Sequence, residues 1–248
     1  MSLVINVIPR FTTAAGSSLT MANWSELGIE NGSFCLASLC IRPGPQVLMS
    51  FKHLRHYCAW PGKIILNLLA LLAAETSSGY FKLRSPYDGS YLTISKKEVM
   101  QLLEHLQPDY VVFPDSQWLS EFSQGSVANW QSIVVGKNQL FFYWIDDCSQ
   151  PIPNFLQDTS GVIWLETDRP AKDALNGIGY QAAEKINILD TIYSEDFTSL
   201  AAGCVCPTCQ QGFTKAYLHH LLQNTPLLAQ RFLIAHNISI MRQTFCLT

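Results

Sequence analysis

The sequence predicts an α/β protein built on a parallel sheet, and three observations carry that prediction. Strand-like and helix-like segments alternate with short connections between Ile64 and Phe113, the signature of a βαβ unit. Of the 248 residues, 48% are hydrophobic and 14% charged, enough for a sizeable core, and a single α/β barrel of this length is ordinary. The last third changes character to two helical patterns, which sets a subdomain over 186–248 apart from a region over 1–185.

Residues 1–45 are rich in Gly, Ser, Thr and β-branched residues and read as short strands and turns. A helical stretch covers Phe51 to Tyr57, followed by a turn at Trp60-Pro61-Gly62. The apolar run from Ile64 to Ala74 opens on β-branched residues and continues in Leu and Ala, so it reads as a buried strand passing into a helix. Tyr80 to Arg84 is the next strand, with Asp88-Gly89 as a turn. Thr93 or Ser95 caps a helix that runs through Glu98, Leu102 and Leu103 towards Leu106. Tyr110 to Phe113 reads as a buried strand ending at Pro114-Asp115, and Leu140 to Ile145 and Gly161 to Leu165 read as further strands. Thr214 to Gln223 and Pro226 to Ala235 are helical, separated by Asn224-Thr225, and Pro226 suits a first helical turn.

A formal net charge of −3 argues against nucleic-acid binding by bulk attraction. A local arrangement of Lys and Arg would still suffice, and Lys172, Lys215 and Arg231 are the candidate phosphate contacts, against a plain solvated surface for each. The run from Ile64 to Ala74 is too short for a membrane span and is bounded by Lys63 and Glu75. The first residues lack a charged start, an apolar stretch and a small-residue cleavage site, so a cytoplasmic protein without membrane contact is expected.

Three of the eight cysteines crowd into Cys204-Val-Cys206-Pro-Thr-Cys209. In a reducing compartment such crowding points to metal rather than disulfides. The spacing lets one loop wrap an ion from three corners, and a histidine elsewhere must supply the fourth. His219, His220 and His236 all qualify on spacing; His236 sits at the end of the second helical pattern, where a hairpin could return it to the loop. Three thiolates and one imidazole form a closed set for structural Zn2+, with no open position for chemistry.

These residues resemble a known family. Asn187-Ile-Leu-Asp190, Glu195-Asp196, the cysteine cluster, Ala216-Tyr-Leu-His-His-Leu221 and Ala235-His236-Asn237 are similar, in order, to the zinc region of tRNA-guanine transglycosylases. One extra residue between Cys209 and Ala216 is the departure. Upstream, Arg42-Pro-Gly-Pro45, His53-Leu54, Trp60-x-Gly62, Phe81-x-x-x-Ser85 with Asp88-Gly-Ser90, Asp109-Tyr-Val-Val with Asp115, and Gly161 to Glu166 with Pro170 and Asn176-Gly177 resemble successive family segments. The resemblance implies that His236 is the fourth zinc ligand. It also implies a TIM-type (β/α) barrel with a C-terminal zinc-binding helical subdomain, and a reaction that exchanges guanine in tRNA for a queuine-type base. The Tyr217–Leu221 helix then corresponds to a dimer surface, so a homodimer, or a heterodimer with a full-length transglycosylase, is expected.

The family's catalytic pattern is altered here. Counting from Trp60 puts Asn67 at the acid/base Asp and Leu68 to Leu72 over the Ser-Gly-Gly-Phe-Gln that follows it. An amide cannot act as a general acid or base near neutral pH. Counting back from Pro170 puts Glu166 at the nucleophile, one methylene longer than the family's Asp, and a shift of about 1 Å can cost on the order of a hundredfold in rate. Asp115 stands at the base-recognition position, where Pro-Asp is also an ordinary turn. The interval from Asp115 to Gly161 is too short for the family's Gly-rich pocket loops, and the nearest candidate, Ile133-Val-Val-Gly136, fits a plain strand end equally well. The expectation is therefore an incomplete or rearranged barrel in a shortened, degenerate member of the family. Such a pseudoenzyme would bind tRNA or a partner and be linked to queuosine-type tRNA modification. The competing expectation is an active base-exchange enzyme with Glu166 as nucleophile, and a third is an interaction protein with no tRNA role.

Overall fold

The computed structural model describes residues 4–76, 78–123, 130–134, 142–146, 162–181 and 184–246. Its strands in chain order are β1 (Val4–Ile8), β2 (Asn31–Cys35), β3 (Lys63–Asn67), β4 (Tyr80–Arg84), β5 (Tyr91–Ser95), β6 (Tyr110–Phe113), β7 (Gln131–Val134), β8 (Phe142–Asp146), β9 (Val162–Thr167), β10 (Ile178–Gln181) and β11 (Glu184–Asn187). The helices are α1 (Met21–Glu26), α2 (Leu36–Ile41), α3 (Pro45–Ser50), α4 (Leu54–Cys58), α5 (Leu69–Leu72), α6 (Lys96–Leu106), α7 (Ser116–Ser123), α8 (Arg169–Leu175), α9 (Pro207–Gln210), α10 (Lys215–Asn224) and α11 (Pro226–Cys246).

Two parallel sheets, in the orders β2-β3-β6-β7 and β1-β9-β8, carry the architecture. The chain just beyond β1 joins them. Ser33 N donates to Pro9 O at 3.0 Å and Phe11 N donates to Ser33 O at 2.8 Å, with Arg10 and Ser33 bridged in parallel. The combined order is thus β8-β9-β1-β2-β3-β6-β7, which follows the chain cyclically, as barrel strands do. Among the described residues β7 and β8 do not pair, so a closed barrel is not formed by them.

Alternation along the strands sorts two cores. Ile64 and Leu66 on β3, Val111 and Phe113 on β6 and Leu165 on β9 join the large core beneath the helices. Ile8, Ile65, Val112, Ile133 and Trp164 form a separate cluster on the other face, closed by Leu69 and Tyr110. Burial on both faces explains why these strands read as continuous apolar runs. The sheet also curls. In a flat sheet β3 and β9, three steps apart, would lie roughly 14 Å from each other. Yet Asn67 on β3 and Glu166 on β9 are hydrogen bonded at 2.9 Å.

Most elements sit where the sequence puts them, with informative differences. The first 45 residues hold α1 and α2 as well as β1 and β2, because Thr20 accepts a hydrogen bond from Asn23 N and starts a helix in a segment of weak propensity. The helix after Phe51 begins only at Leu54. Thr93 lies within β5; Ser95 is the cap of α6, in a capping box with Glu98 that is worth about 1 kcal/mol. The apolar run is β3 followed by the single turn of α5. Leu140, Gly161 and Gly136 lie outside the described residues. The last helix is much longer than its sequence pattern, so His236 lies within α11 rather than at its end. That helix packs on α8, β1 and β10, fastening the cysteine-rich segment to the sheet. Among the described residues no helix is long and apolar enough to cross a membrane.

Candidate functional site

The C-terminal ends of parallel strands are where α/β folds place their chemistry. Here three side chains converge there. Glu166, near the end of β9, is 3% exposed, and Asn67, the last residue of β3, is 6% exposed. Asn67 Nδ2 donates to both carboxylate oxygens of Glu166, at 3.1 Å and 2.9 Å. Arg10, two residues beyond β1, brings its Nε to 3.2 Å from Glu166 Oε1. The carboxylate is therefore taken from one side by an amide reaching over from β3 and from the other by a guanidinium on the adjacent strand. Asn67 Oδ1 accepts from Leu69 N at 2.8 Å, which fixes the amide's orientation and leaves Nδ2 for Glu166.

Beneath this polar trio the concave face is filled by Ile8, Ile65, Val112, Ile133 and Trp164, with Tyr110 edge-on to Trp164. Of the leucines that follow Asn67, Leu68 and Leu71 are buried in the large core, Leu69 packs on the concave cluster and Leu72 is half exposed. Ser33, whose parallel neighbours are Arg10 and Ile65, is also buried there, and its Oγ has no hydrogen-bond partner.

Two of the other candidates have partners of their own. Asp115 turns its carboxylate onto its own helix, accepting from Trp118 N at 2.9 Å at the start of α7. Lys215 donates to Asp196 and Thr198, both at 2.9 Å, while Lys172 and Arg231 are exposed. Arg10 escaped sequence reasoning. Its signal was a cation directly after an alternating strand, but its partner is visible only once β1 and β9 are known to be neighbours.

The second constellation is the cysteine cluster. The Sγ atoms of Cys204, Cys206 and Cys209 lie 3.7, 3.4 and 3.4 Å from His236 Nδ1, and the four ligand atoms are all within 4.8 Å of one another. A tetrahedron of three thiolates and one imidazole around zinc has S···N edges of about 3.6 Å, so the donor set fits a single ion. His236 Nε2 donates to Tyr180 O at 2.7 Å, which leaves Nδ1 as the metal-facing nitrogen. Asn237 extends the support, accepting from Tyr180 N at 2.9 Å and donating to Ile178 O and Pro170 O. Cys206 also caps α9, accepting from Cys209 N at 3.4 Å.

Proximity splits the thiols. The hydrogen bond from Cys209, then the contact with His236, pulls Cys206 down to about 4, despite burial. The same bond to Cys206, then burial, pushes Cys209 up, and burial pushes Cys204 up. The three thiols and the imidazole could hold a metal ion, whose binding requires the ligand sulfurs to lose their protons. The rival histidines are committed elsewhere. His219 Nδ1 donates to Ile188 O at 2.7 Å and its Nε2 accepts from Gln223, while His220 is exposed beside Asn224.

Comparison with known proteins bears on this same region. Residues 161–247 match the family model described as queuine tRNA-ribosyltransferase. Proteins of that name are 33% identical over 78 residues in Lachnoclostridium phytofermentans, covering 32% of this chain and 20% of the relative. In Sorangium cellulosum the identity is 36% over 81 residues, or 33% and 21%, and in Lawsonia intracellularis 39% over 80 residues, or 32% and 21%. The matched part thus spans about a fifth of the length of these relatives. Residues 161–247, which hold Glu166 and the whole thiol–imidazole cluster, are thus similar to the C-terminal part of queuine tRNA-ribosyltransferases.

Proposed function

We propose that this chain is a non-catalytic member of its family, serving queuosine-type tRNA modification by binding tRNA or a catalytic transglycosylase. One observation carries the reading: the Asn67 amide holds both oxygens of the buried Glu166 carboxylate. A carboxylate nucleophile must direct a lone pair at the ribose carbon. Here both oxygens accept from the amide and one also faces Arg10. The amide, for its part, can neither take up nor release the proton that base exchange requires. The apolar packing of Ile8, Ile65, Val112, Ile133 and Trp164 on the concave face supports the same reading.

In this reading Cys204, Cys206, Cys209 and His236 hold a structural zinc that ties the loop at 204–209 to α11. The zinc supplies folding energy and no open coordination position. Association, with itself or with a full-length relative, would use the exposed side of the C-terminal helices. Tyr217 is 43% and Leu227 82% exposed there, while Leu218 and Leu221 point into the core.

The competing reading, base exchange through Glu166, draws on the placement of that residue at a C-terminal strand end. Incubation of the chain alone with tRNA and labelled guanine separates the two: no incorporation is expected, and incorporation abolished by Glu166→Ala would overturn the proposal.

A further inference from the structure

Between β3 and α6 the chain leaves the parallel sheet to form an antiparallel hairpin, β4–β5. Its inner face is apolar and buried through Phe81, Leu83 and Ile94. Its outer face carries Tyr80, Lys82 and Arg84 on β4, with Arg84 directly opposite Tyr91 on β5. Three tyrosines on this hairpin are open to solvent: Tyr80 at 46%, Tyr87 at 70% and Tyr91 at 60%. Each of the two most exposed rings has a cation on it. Lys82 Nζ lies 4.5 Å from the Tyr91 centroid and the Arg42 guanidinium 5.1 Å from that of Tyr87.

The one acid at the hairpin tip, Asp88, is exposed and engaged by its neighbour Ser90. Asp88 Oδ1 accepts from Ser90 N at 3.1 Å and from Ser90 Oγ at 2.8 Å. A cleft of about 500 Å³ separates this tip from the loop that carries Arg42. A chain of net charge −3 therefore gathers Arg42, Lys82 and Arg84 around exposed aromatic rings.

We propose that the outer face and tip of this hairpin bind single-stranded RNA, with bases stacked on Tyr87 and Tyr91 and phosphates against Arg42, Lys82 and Arg84. The proposal rests on the RNA-binding reading given above and assigns it a surface. Exposed rings accept bases of any identity by their faces, provided that the bases are not already stacked in a duplex. The cation over one face of each ring is placed to meet the phosphate of a base stacked on the opposite face. The cis arrangement of ring and cation suits a nucleotide better than an acidic peptide, which offers charge without a flat partner for the ring.

The test is fluorescence anisotropy of the full chain with a labelled, unstructured oligouridylate across a salt series. The wild type is expected to bind this strand more tightly than a duplex RNA, with affinity falling as salt rises. Tyr87→Ala combined with Tyr91→Ala should weaken binding roughly tenfold or more, while the corresponding Phe substitutions retain it. Lys82→Gln with Arg84→Gln should flatten the salt dependence. Thermal melts of each variant identify any loss of fold, and if the Ala pair is unstable the Lys82→Gln, Arg84→Gln pair carries the test, an unchanged salt dependence in it overturning the proposal. Unchanged affinity in a folded Ala pair, preference for duplex RNA, or displacement of the strand by an acidic peptide overturns the proposal. If tRNA binding persists unchanged in the Ala pair, the hairpin assignment fails and the family reading stands. Base exchange by the wild type would instead remove the non-catalytic reading without touching the hairpin.

Discussion

At the scale of single residues, the buried Glu166 carboxyl group meets both the Asn67 amide and the Arg10 guanidinium. Removing Asn67 would leave two carboxylate oxygens with fewer donors in a place that water reaches poorly. Asn67→Ala is expected to cost about 1–3 kcal/mol of stability, the range for stranding a buried acceptor, as measured by denaturant unfolding. A cost within error would mean that the amide contributes nothing to holding the carboxylate. Counting from Trp60 and from Pro170 singled out Asn67 and Glu166 in the sequence, and the structure brings the two side chains together. What they do to each other was not legible there, since the contact joins residues 99 apart. Arg10 was illegible for the same reason. The side-chain commitments of His219 and Asp115 also depend on neighbours that spacing cannot reveal.

Among the elements, α11 carries the greatest burden, because it supplies His236 to the cysteine loop and Asn237 to β10. Sequence periodicity supported this helix only to Ala235. Its continuation to Cys246 depends on burial of Ile238, Ile240 and Met241 rather than on an amphipathic pattern. Stripping metal with a strong chelator is expected to lower the melting temperature and reduce helical circular dichroism, with readdition of zinc restoring both. Cys209→Ser should mimic the stripped state and retain less metal on elemental analysis. An unchanged melt after verified metal removal would argue against a structural role.

The start of α10 gives a pH-dependent element. Hydrogen bonds from Thr198, and then Lys215, hold the Asp196 carboxyl at about 2, below its ordinary 3.8. A depressed folded-state value contributes stability that is fully present above the unfolded value and fades as pH falls towards 2. The melting-temperature gap between wild type and Asp196→Asn should therefore be greatest above pH 4 and close as pH approaches about 2. A gap that is constant with pH would mean that the asparagine costs something other than charge.

For the whole molecule, the order β8-β9-β1-β2-β3-β6-β7 shows how much of a barrel the described residues assemble. The parallel βαβ character was readable from alternating apolar runs, and the ring-like order was expected from family resemblance. The joining of two sheets at Ser33 was readable from neither, because it uses backbone atoms beyond the end of β1. The consequence is global. Curling brings β3 against β9, so that the Asn67 amide meets the Glu166 carboxylate beside an apolar cluster of Ile8, Ile65, Val112, Ile133 and Trp164.

Base exchange tests that account most directly. The full chain, loaded with zinc and mixed with tRNA and labelled guanine, should leave the RNA unlabelled and give no covalent protein–RNA species on a denaturing gel. A catalytic transglycosylase in a parallel reaction shows that the tRNA is competent. Label incorporation, or an adduct, that disappears in Glu166→Gln would contradict the account, because it would mean that the carboxylate leaves Asn67 and Arg10 to attack the ribose.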